Sequence, residues 1–124
     1  MTARTLQRLA NRYKRLLKID EWKIKAVFGN AAKESRSSED KYDVYGCCAT
    51  NHERHKVAII IACPTEEMHR TTKEIAYTVV HEILHPTLDP AGTMMNDAVF
   101  EMGLDRLSKL IVDMDYANRA LKQK

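Results

Sequence analysis

The sequence predicts an α+β fold in a single domain over residues 1–124, with an N-terminal helix, a small sheet of about three strands, and two further helices. Apolar residues recur every three or four positions near the start of the chain and again after residue 71, which predicts helices. The segments between them are shorter, with alternating or continuous apolar residues typical of strands. A chain of 124 residues with 44% hydrophobic content fills one core and leaves no room for a second domain.

The first half of the chain supplies the first helix and the strands. In residues 3–18, leucines and Tyr13 at helical spacing form an apolar face. The opposite face is basic and contains Arg4, Arg8, Arg12 and Arg15. Residues 22–28 alternate between apolar and mostly polar side chains, residues 43–50 form a candidate second strand, and residues 57–63 are a continuous apolar run that should be the most buried strand. Residues 30–42 predict an exposed loop and residues 51–56 a turn.

The second half supplies two helices. Thr71 and Glu74 match a capping box, so a helix begins near residue 72, and Pro86 predicts that it kinks or stops near His85. A last helix, capped by the Asn96-Asp97 pair, runs to about residue 116 or beyond, and a polar tail at 118–124 should fray. The apolar side chains of this helix recur at helical spacing at Ala98, Val99, Met102, Leu107, Leu110, Ile111 and Met114.

The segment His81-Glu82-Ile83-Leu84-His85 is an HExxH motif on the first of these two helices. Two imidazoles four residues apart share one helix face, roughly 5 to 6 Å between Cβ atoms, and can bind one zinc ion. Glu82 is then placed to act as general base toward a metal-bound water. The alternative is a pair of partly buried structural histidines beside a solvated acid. The position of the motif on a capped amphipathic helix favours the metal site.

A catalytic zinc usually takes three protein ligands, and no histidine follows His85. The downstream carboxylates that remain are Asp89, Asp97, Glu101 and Asp105. Glu101 is favoured because it interrupts the apolar face of the last helix, where a carboxylate is costly unless it is paired or metal-bound. It could instead be an ordinary boundary acid paired with a lysine or arginine. Asp105, one turn later, could ligate in its place or accept a histidine N–H.

With HEILH on one helix and Glu101 on the next, the sequence resembles the minimal gluzincins, small HExxH zinc metallopeptidases of phages and prophages. The resemblance is carried by the stretches DEWKIKAVF, KVAIIIAC, YTVVHEILHP and VFEMGLDRLSKLI. It implies a zincin-like fold in which His81, His85 and Glu101 bind Zn²⁺ and Glu82 is the catalytic base. It further implies peptide hydrolysis by a zinc-activated water, with a peptide or protein substrate held by strand addition to the sheet. The implied compartment is the cytoplasm of a bacterium or of a phage-infected cell.

Several features of the site stay open at this point. The donor that stabilises the oxyanion should be a Tyr, His or Arg, and Tyr77, one turn before His81, is one candidate among several. A chain this short lacks the walls of larger proteases, so we expect a shallow cleft or one completed by a protein partner. His52 and His55, three residues apart in the predicted turn, could bind metal but are typical of surface histidines.

Two other functions fit parts of the sequence. The same three ligands could hold zinc in an interaction module without turnover. The basic first helix could bind nucleic acid, although a net charge of +3 and 6% aromatic content give that function little support.

The remaining composition indicates a cytoplasmic protein without membrane contact. The sequence contains neither a signal-peptide apolar region nor an apolar run of 18 residues. Cys47, Cys48 and Cys63 are odd in number and form no CxxC pair, which predicts reduced cysteines rather than disulfides or a cysteine zinc site.

Overall fold

The computed structural model describes residues 2–19, 23–28, 46–51, 57–62, 71–89, 93–94 and 97–123. This part of the chain is mostly helical and confirms the three predicted helices: α1 (Ala3–Leu16), α2 (Thr72–Leu88) and α3 (Ala98–Lys122). Three short strands, β1 (Lys23–Phe28), β2 (Gly46–Asn51) and β3 (Val57–Ala62), pair in the order β1-β3-β2. Among the described helices, none combines the length and the apolar character needed to cross a membrane.

Helix α1 begins at a threonine cap and ends in a Schellman motif. The Thr2 side chain accepts a hydrogen bond from the backbone N–H of Thr5 at 3.2 Å, and this satisfies one of the free donors of the first turn. At the other end, Lys18 adopts φ 56°, and the N–H of Ile19 donates to the Lys14 carbonyl at 3.2 Å. The helix therefore ends two residues earlier than predicted, and the chain turns back so that Ile19 is buried.

In the sheet, β3 is the central strand. It runs parallel to β1, with Lys23 opposite Val57, and antiparallel to β2, with Gly46 opposite Ala62. In β1, Ile24 and Ala26 are buried whereas Lys23 and Lys25 are exposed, which confirms the predicted alternation for this strand.

The outer edge of β1 is capped by a side chain of α1. The Gln7 amide donates from Nε2 to the Ile24 carbonyl at 2.9 Å and accepts from the Ala26 N–H at 2.8 Å. One side chain thereby makes the two hydrogen bonds that a neighbouring strand would make, and it fixes α1 against the sheet.

Pro86 predicted that α2 kinks or stops near His85, and the helix does not stop there but continues to Leu88. Pro86 lacks the N–H that would reach the Glu82 carbonyl, yet the residues that follow it make hydrogen bonds to the preceding turn. The Thr87 hydroxyl donates to the Ile83 carbonyl at 2.8 Å, and the Asp89 N–H donates to the His85 carbonyl at 2.8 Å. The predicted N-cap is confirmed, since the Thr71 hydroxyl accepts from the Glu74 N–H at 3.1 Å.

Helix α3 buries a face that only partly coincides with the predicted one. Its buried residues are Leu104, Ser108, Val112 and Asp115. Of the predicted apolar positions, Leu107 and Ile111 are partly buried against the core. Four others are more than half exposed: Val99, Met102, Leu110 and Met114. The prediction was wrong for these four because α3 has apolar residues on two opposite faces, and helical spacing alone does not decide which face meets the core. The helix also extends to Lys122, through most of the predicted fraying tail.

A buried ion-pair cluster joins α1 to α3. The Asp115 carboxylate is 7% exposed and pairs with the Arg12 guanidinium, which also donates from Nε at 2.9 Å. The Tyr13 hydroxyl and the Arg119 guanidinium donate to the same carboxylate at 2.9 and 3.1 Å. Arg12 was predicted to lie on the outer, basic face of α1, and this prediction was wrong. The sequence feature that could have indicated this contact is Asp115, an acidic residue at helical spacing from the buried Val112.

Candidate metal centre

The two motif histidines project from the same face of α2. Their ring centroids are 5.5 Å apart, and their side chains are 17% and 11% exposed for His81 and His85. Neighbouring turns of the helix bury Val79, Val80, Ile83 and Leu84, which anchor α2 in the core. This side of the helix is therefore fixed, and the two imidazoles stay at its solvent boundary.

Glu101 reaches both histidines from the first turn of α3. Its Oε2 lies 2.7 Å from His81 Nε2, and its Oε1 lies 3.0 Å from His85 Nε2. One ligand-type atom from each of these three residues lies within 4.8 Å of the others, so the group can hold a metal ion. The structure thus brings together the three residues expected as ligands, and the carboxylate occupies the space between the imidazoles.

The connection between α2 and α3 fixes where α3 begins. The buried Asp89 carboxylate accepts hydrogen bonds from the Thr93 N–H, the Thr93 hydroxyl and the Met94 N–H, at 3.1, 3.0 and 2.8 Å. Asp97 caps α3 by accepting from the Phe100 N–H at 2.8 Å. These two candidate ligands therefore bind backbone in the described connection, which leaves Glu101 as the carboxylate between the histidines.

Asp105 lies one turn after Glu101, beside the other nitrogen of His81. Its Oδ1 is 3.9 Å from His81 Nδ1, and its Oδ2 accepts from Lys109 at 3.3 Å. The distance to the imidazole exceeds a direct hydrogen bond. Asp105 therefore lies near His81 without a direct hydrogen bond to it, and Glu101 is the carboxylate that contacts both histidines.

Glu82 is a buried carboxylate beside this cluster, with 6% of its surface exposed. Burial raises its pKa above the ordinary value, while the nearby charges of His81 and His85 act in the opposite direction. A carboxylate whose pKa is moved toward neutrality can both accept and return a proton. Glu82 lies within electrostatic range of both histidines and of Glu101.

The charges of the cluster stabilise one another. Burial opposes ionisation of Glu101, but the hydrogen bonds from His81 and His85 outweigh it and lower its pKa to about 2. Burial also lowers the pKa of His81, but the hydrogen bond to Glu101 and the neighbouring carboxylates raise it overall. Glu101 is therefore an ionised carboxylate at neutral pH, which is the form that binds a metal ion.

The donor set fits a divalent cation with one open coordination position. Two imidazole nitrogens and one carboxylate oxygen are the ligands of many catalytic zinc sites, and other first-row ions accept the same set. With bonds of 2.0 to 2.1 Å, tetrahedral ligand atoms would lie about 3.3 Å apart. The present separations of 2.7 and 3.0 Å between the Glu101 oxygens and the histidine nitrogens are direct hydrogen bonds. His85 Nδ1 is buried and has no hydrogen-bond partner among the described residues.

Tyr77, a candidate oxyanion donor, points elsewhere. Its hydroxyl donates to Asp113 Oδ1 at 2.5 Å, on the exposed side of α3. Asp113 follows Glu101 by twelve residues, roughly 18 Å along the helix axis. The Tyr77 hydroxyl is thus remote from the cluster. Its neighbour Lys73 also pairs with Asp113, at 3.0 Å.

Other candidates lie outside the described residues. These are His52, His55 and Cys63, together with the side chains of Cys47 and Cys48 in β2.

Comparison of the chain with protein-family models, with curated proteins and with solved structures found no match.

Proposed function

We propose that the chain is a zinc-dependent metallopeptidase, a gluzincin-like hydrolase in which His81, His85 and Glu101 bind the metal and Glu82 is the general base. The observation that carries this proposal is the convergence of three ligand-type side chains from two helices, with a buried carboxylate next in sequence to the first. Each of these residues has the chemistry that metal-assisted hydrolysis requires.

Zinc bound to this set would supply a Lewis acid and a bound water that ionises near neutral pH. Glu82 would take the proton from that water and return it to the leaving amine, a role that its burial and raised pKa support. Glu101 would remain anionic, and Asp105 would orient His81 through Nδ1.

An extended peptide has one suitable place in the sheet. The central strand β3 is paired on both sides, and Gln7 caps β1 at Ile24 and Ala26. Among the described strands, the outer edge of β2 then remains for strand addition. Because α2 packs against β2, this edge lies next to the helix that carries the motif. A substrate bound there would be held by backbone hydrogen bonds, with little demand on its side chains.

The metal part of the proposal is tested by zinc affinity. Purified protein is expected to bind one zinc ion per chain, and His81→Ala and Glu101→Ala should abolish tight binding. Asp105→Ala should cost about 10 to 100-fold, as expected for a residue that orients a ligand. Asp113→Ala, a carboxylate on the same helix outside the cluster, is the matched control and should bind normally. Full affinity in Glu101→Ala together with lost affinity in Asp105→Ala would assign the third ligand to Asp105.

The catalytic part is tested separately with Glu82→Gln. This variant should keep its zinc and its fold but lose cleavage of a peptide library, because the amide cannot accept the proton. If wild type binds zinc but gives the same products as Glu82→Gln, the chain is a metal-binding module without turnover. A nucleic-acid adaptor is less well supported, because Arg12 on the basic helix is engaged by Asp115.

A further inference from the structure

Helix α3 carries a second apolar face directly opposite the face that it buries. Five large apolar residues are exposed there: Val99 (79%), Met102 (56%), Leu110 (55%), Met114 (58%) and Leu121 (66%). Single exposed apolar residues are common, but five of them along one side of a helix indicate a surface that is covered by something else. The row runs from Val99 to Leu121, about 33 Å at the rise of an α-helix.

The spacing of the residues on this face is symmetric about Leu110. We define the outer stripe of α3 as Val99, Gly103, Arg106, Leu110, Met114, Ala117 and Leu121, whose spacings are 4, 3, 4, 4, 3 and 4 residues. The same spacings are obtained from either end, and the mean period of about 3.7 keeps the residues on one side of a nearly straight helix. Two such stripes placed antiparallel therefore match position for position. Leu110 meets Leu110, and Val99 meets Leu121.

Gly103 has no role within the described chain that requires a glycine. A Cβ at this position would meet nothing within 4 Å, and glycine inside a helix lowers helix stability relative to alanine. In the antiparallel arrangement Gly103 faces Ala117, so two small residues coincide on both sides of the centre. Small residues at facing positions allow two helix backbones to approach closely. Such an approach would explain why position 103 is a glycine.

The charged residues in and beside the stripe can pair with the same residues of a second copy. Arg106 and Asp113 are seven residues apart and therefore lie on the same side of α3. In an antiparallel pair of helices related by a two-fold axis, this side of one copy faces the same side of the other. Arg106 faces position 114 of the other copy, next to Asp113. Within one chain, Asp113 Oδ1 accepts from Tyr77 and Lys73, so its second oxygen can accept from Arg106 of the other copy. By two-fold symmetry this pair would form twice.

From these observations we propose that the chain forms an antiparallel homodimer through the outer stripe of α3, centred on Leu110. The symmetric spacing, the facing small residues and the matched charges favour a second copy over an unrelated partner. Glu101 lies with the buried side of α3, so the dimer leaves the candidate metal centre open to substrate.

The first test is oligomeric state, measured by sedimentation equilibrium and light scattering on the full chain. Wild type is expected to be a dimer, and Leu110→Asp, which would place two carboxylates face to face, should raise the dissociation constant at least about tenfold. Asn118→Asp adds the same charge to α3 away from the stripe and should remain dimeric. Circular dichroism should show equal helix content in all three proteins. A wild type that stays monomeric up to roughly millimolar concentration, the weak end of the affinity scale, overturns the proposal. So does a Leu110→Asp variant as dimeric as wild type.

The second test addresses the antiparallel register. Arg106→Asp and Asp113→Arg should each weaken self-association, because like charges then meet twice. Mixing the two variants should restore association, since each chain supplies the charge that the other lacks. If both single variants dimerise as well as wild type, or if the mixture is no better than either alone, the antiparallel register is wrong.

Discussion

Lys18 occupies a backbone conformation that a lysine rarely adopts. Its φ of 56° lies in the left-handed region, where the Cβ atom crowds the carbonyl oxygen. The conformation is imposed by the Schellman motif, whose hydrogen bonds satisfy the last carbonyls of α1 and turn the chain toward the buried Ile19. Glycine is the residue that this position favours.

We predict that Lys18→Gly increases the free energy of unfolding by up to about 1 kcal/mol, because glycine removes the strain of the left-handed conformation. Lys14→Gly, in the last turn of the same helix, is the matched control and should decrease the free energy by a similar amount. Urea unfolding of both variants and of wild type measures the two changes. A destabilised Lys18→Gly protein would contradict the prediction.

Asp115 is the α3 residue that accepts hydrogen bonds from Arg12 and Tyr13 of α1. The hydrogen bond from Arg12, opposed by burial and assisted by Tyr13, lowers the pKa of its carboxyl below the ordinary value of 3.8. A lowered pKa in the folded state means that the unfolded state binds more protons in acid. The stabilisation is therefore complete above pH 3.8 and decreases as the pH falls through the lowered pKa.

We predict that Asp115→Asn costs about 1 to 3 kcal/mol at neutral pH, because an amide leaves the guanidinium of Arg12 without its charge partner. The deficit should shrink as the pH falls below 3.8, where wild type loses the same interaction. Unfolding of both proteins by guanidinium chloride at a series of pH values measures this difference in the free energy of unfolding. The control is Asp105→Asn, which removes the exposed ion pair with Lys109 and is expected to cost less than about 1 kcal/mol. A deficit that is constant with pH would show that the charge of Asp115 is not responsible.

At the scale of elements, the strand edge held by Gln7 shows how a helix can close a sheet. A free strand edge invites pairing with another chain, and a side-chain amide is the one group that imitates both the donor and the acceptor of a strand. Gln7 uses both at Ile24 and Ala26. It thereby occupies the outer edge of β1 at these two residues.

We predict that Gln7→Ala lowers the free energy of unfolding by about 1 to 2 kcal/mol, at roughly 1 kcal/mol for each hydrogen bond lost. The Ala26 amide hydrogen should also exchange faster with solvent, since its acceptor is removed. Gln7→Glu keeps the acceptor for the Ala26 N–H but places a carboxylate oxygen against the Ile24 carbonyl, so it should restore the protection of the Ala26 amide without restoring stability. Unchanged exchange at Ala26 in Gln7→Ala would contradict the capping role.

At the scale of the whole molecule, the candidate metal centre joins α2 to α3. His81 and His85 belong to one helix and Glu101 to the other, so an ion bound to all three stabilises their packing. Binding to the folded state alone raises stability in proportion to the logarithm of ligand concentration.

We predict that zinc at 100 times its dissociation constant adds about 2.7 kcal/mol to the free energy of unfolding of wild type. Glu82→Gln should gain the same amount, because Glu82 is not a ligand in this proposal. His85→Ala should gain little, and a chelator should reverse the effect in wild type. Thermal unfolding with and without zinc measures the gain. Equal gains in wild type and His85→Ala would place the bound zinc elsewhere.

The features that the sequence determined are local ones. Helix geometry fixes the relation between His81 and His85 once the segment is helical, and four-residue spacing is enough to place both rings on one side. The caps at Thr71 and Asp97 are equally local, since each side chain binds a backbone N–H three residues away. Among four candidate carboxylates, Glu101 could be favoured because it interrupts an apolar helix face. Its position in the sequence did not exclude Asp105 as the third ligand.

Tertiary structure decided the features that depend on which surfaces meet. Two opposite faces of α3 are apolar, and packing against the rest of the core, chiefly against α2, selected the one with Leu104 and Val112. The same packing joined Arg12 to Asp115 across 103 residues and set Glu101 between the histidines. Hydrophobic periodicity reports that a face can be buried, whereas the choice of partner depends on the free energy of the whole assembled core.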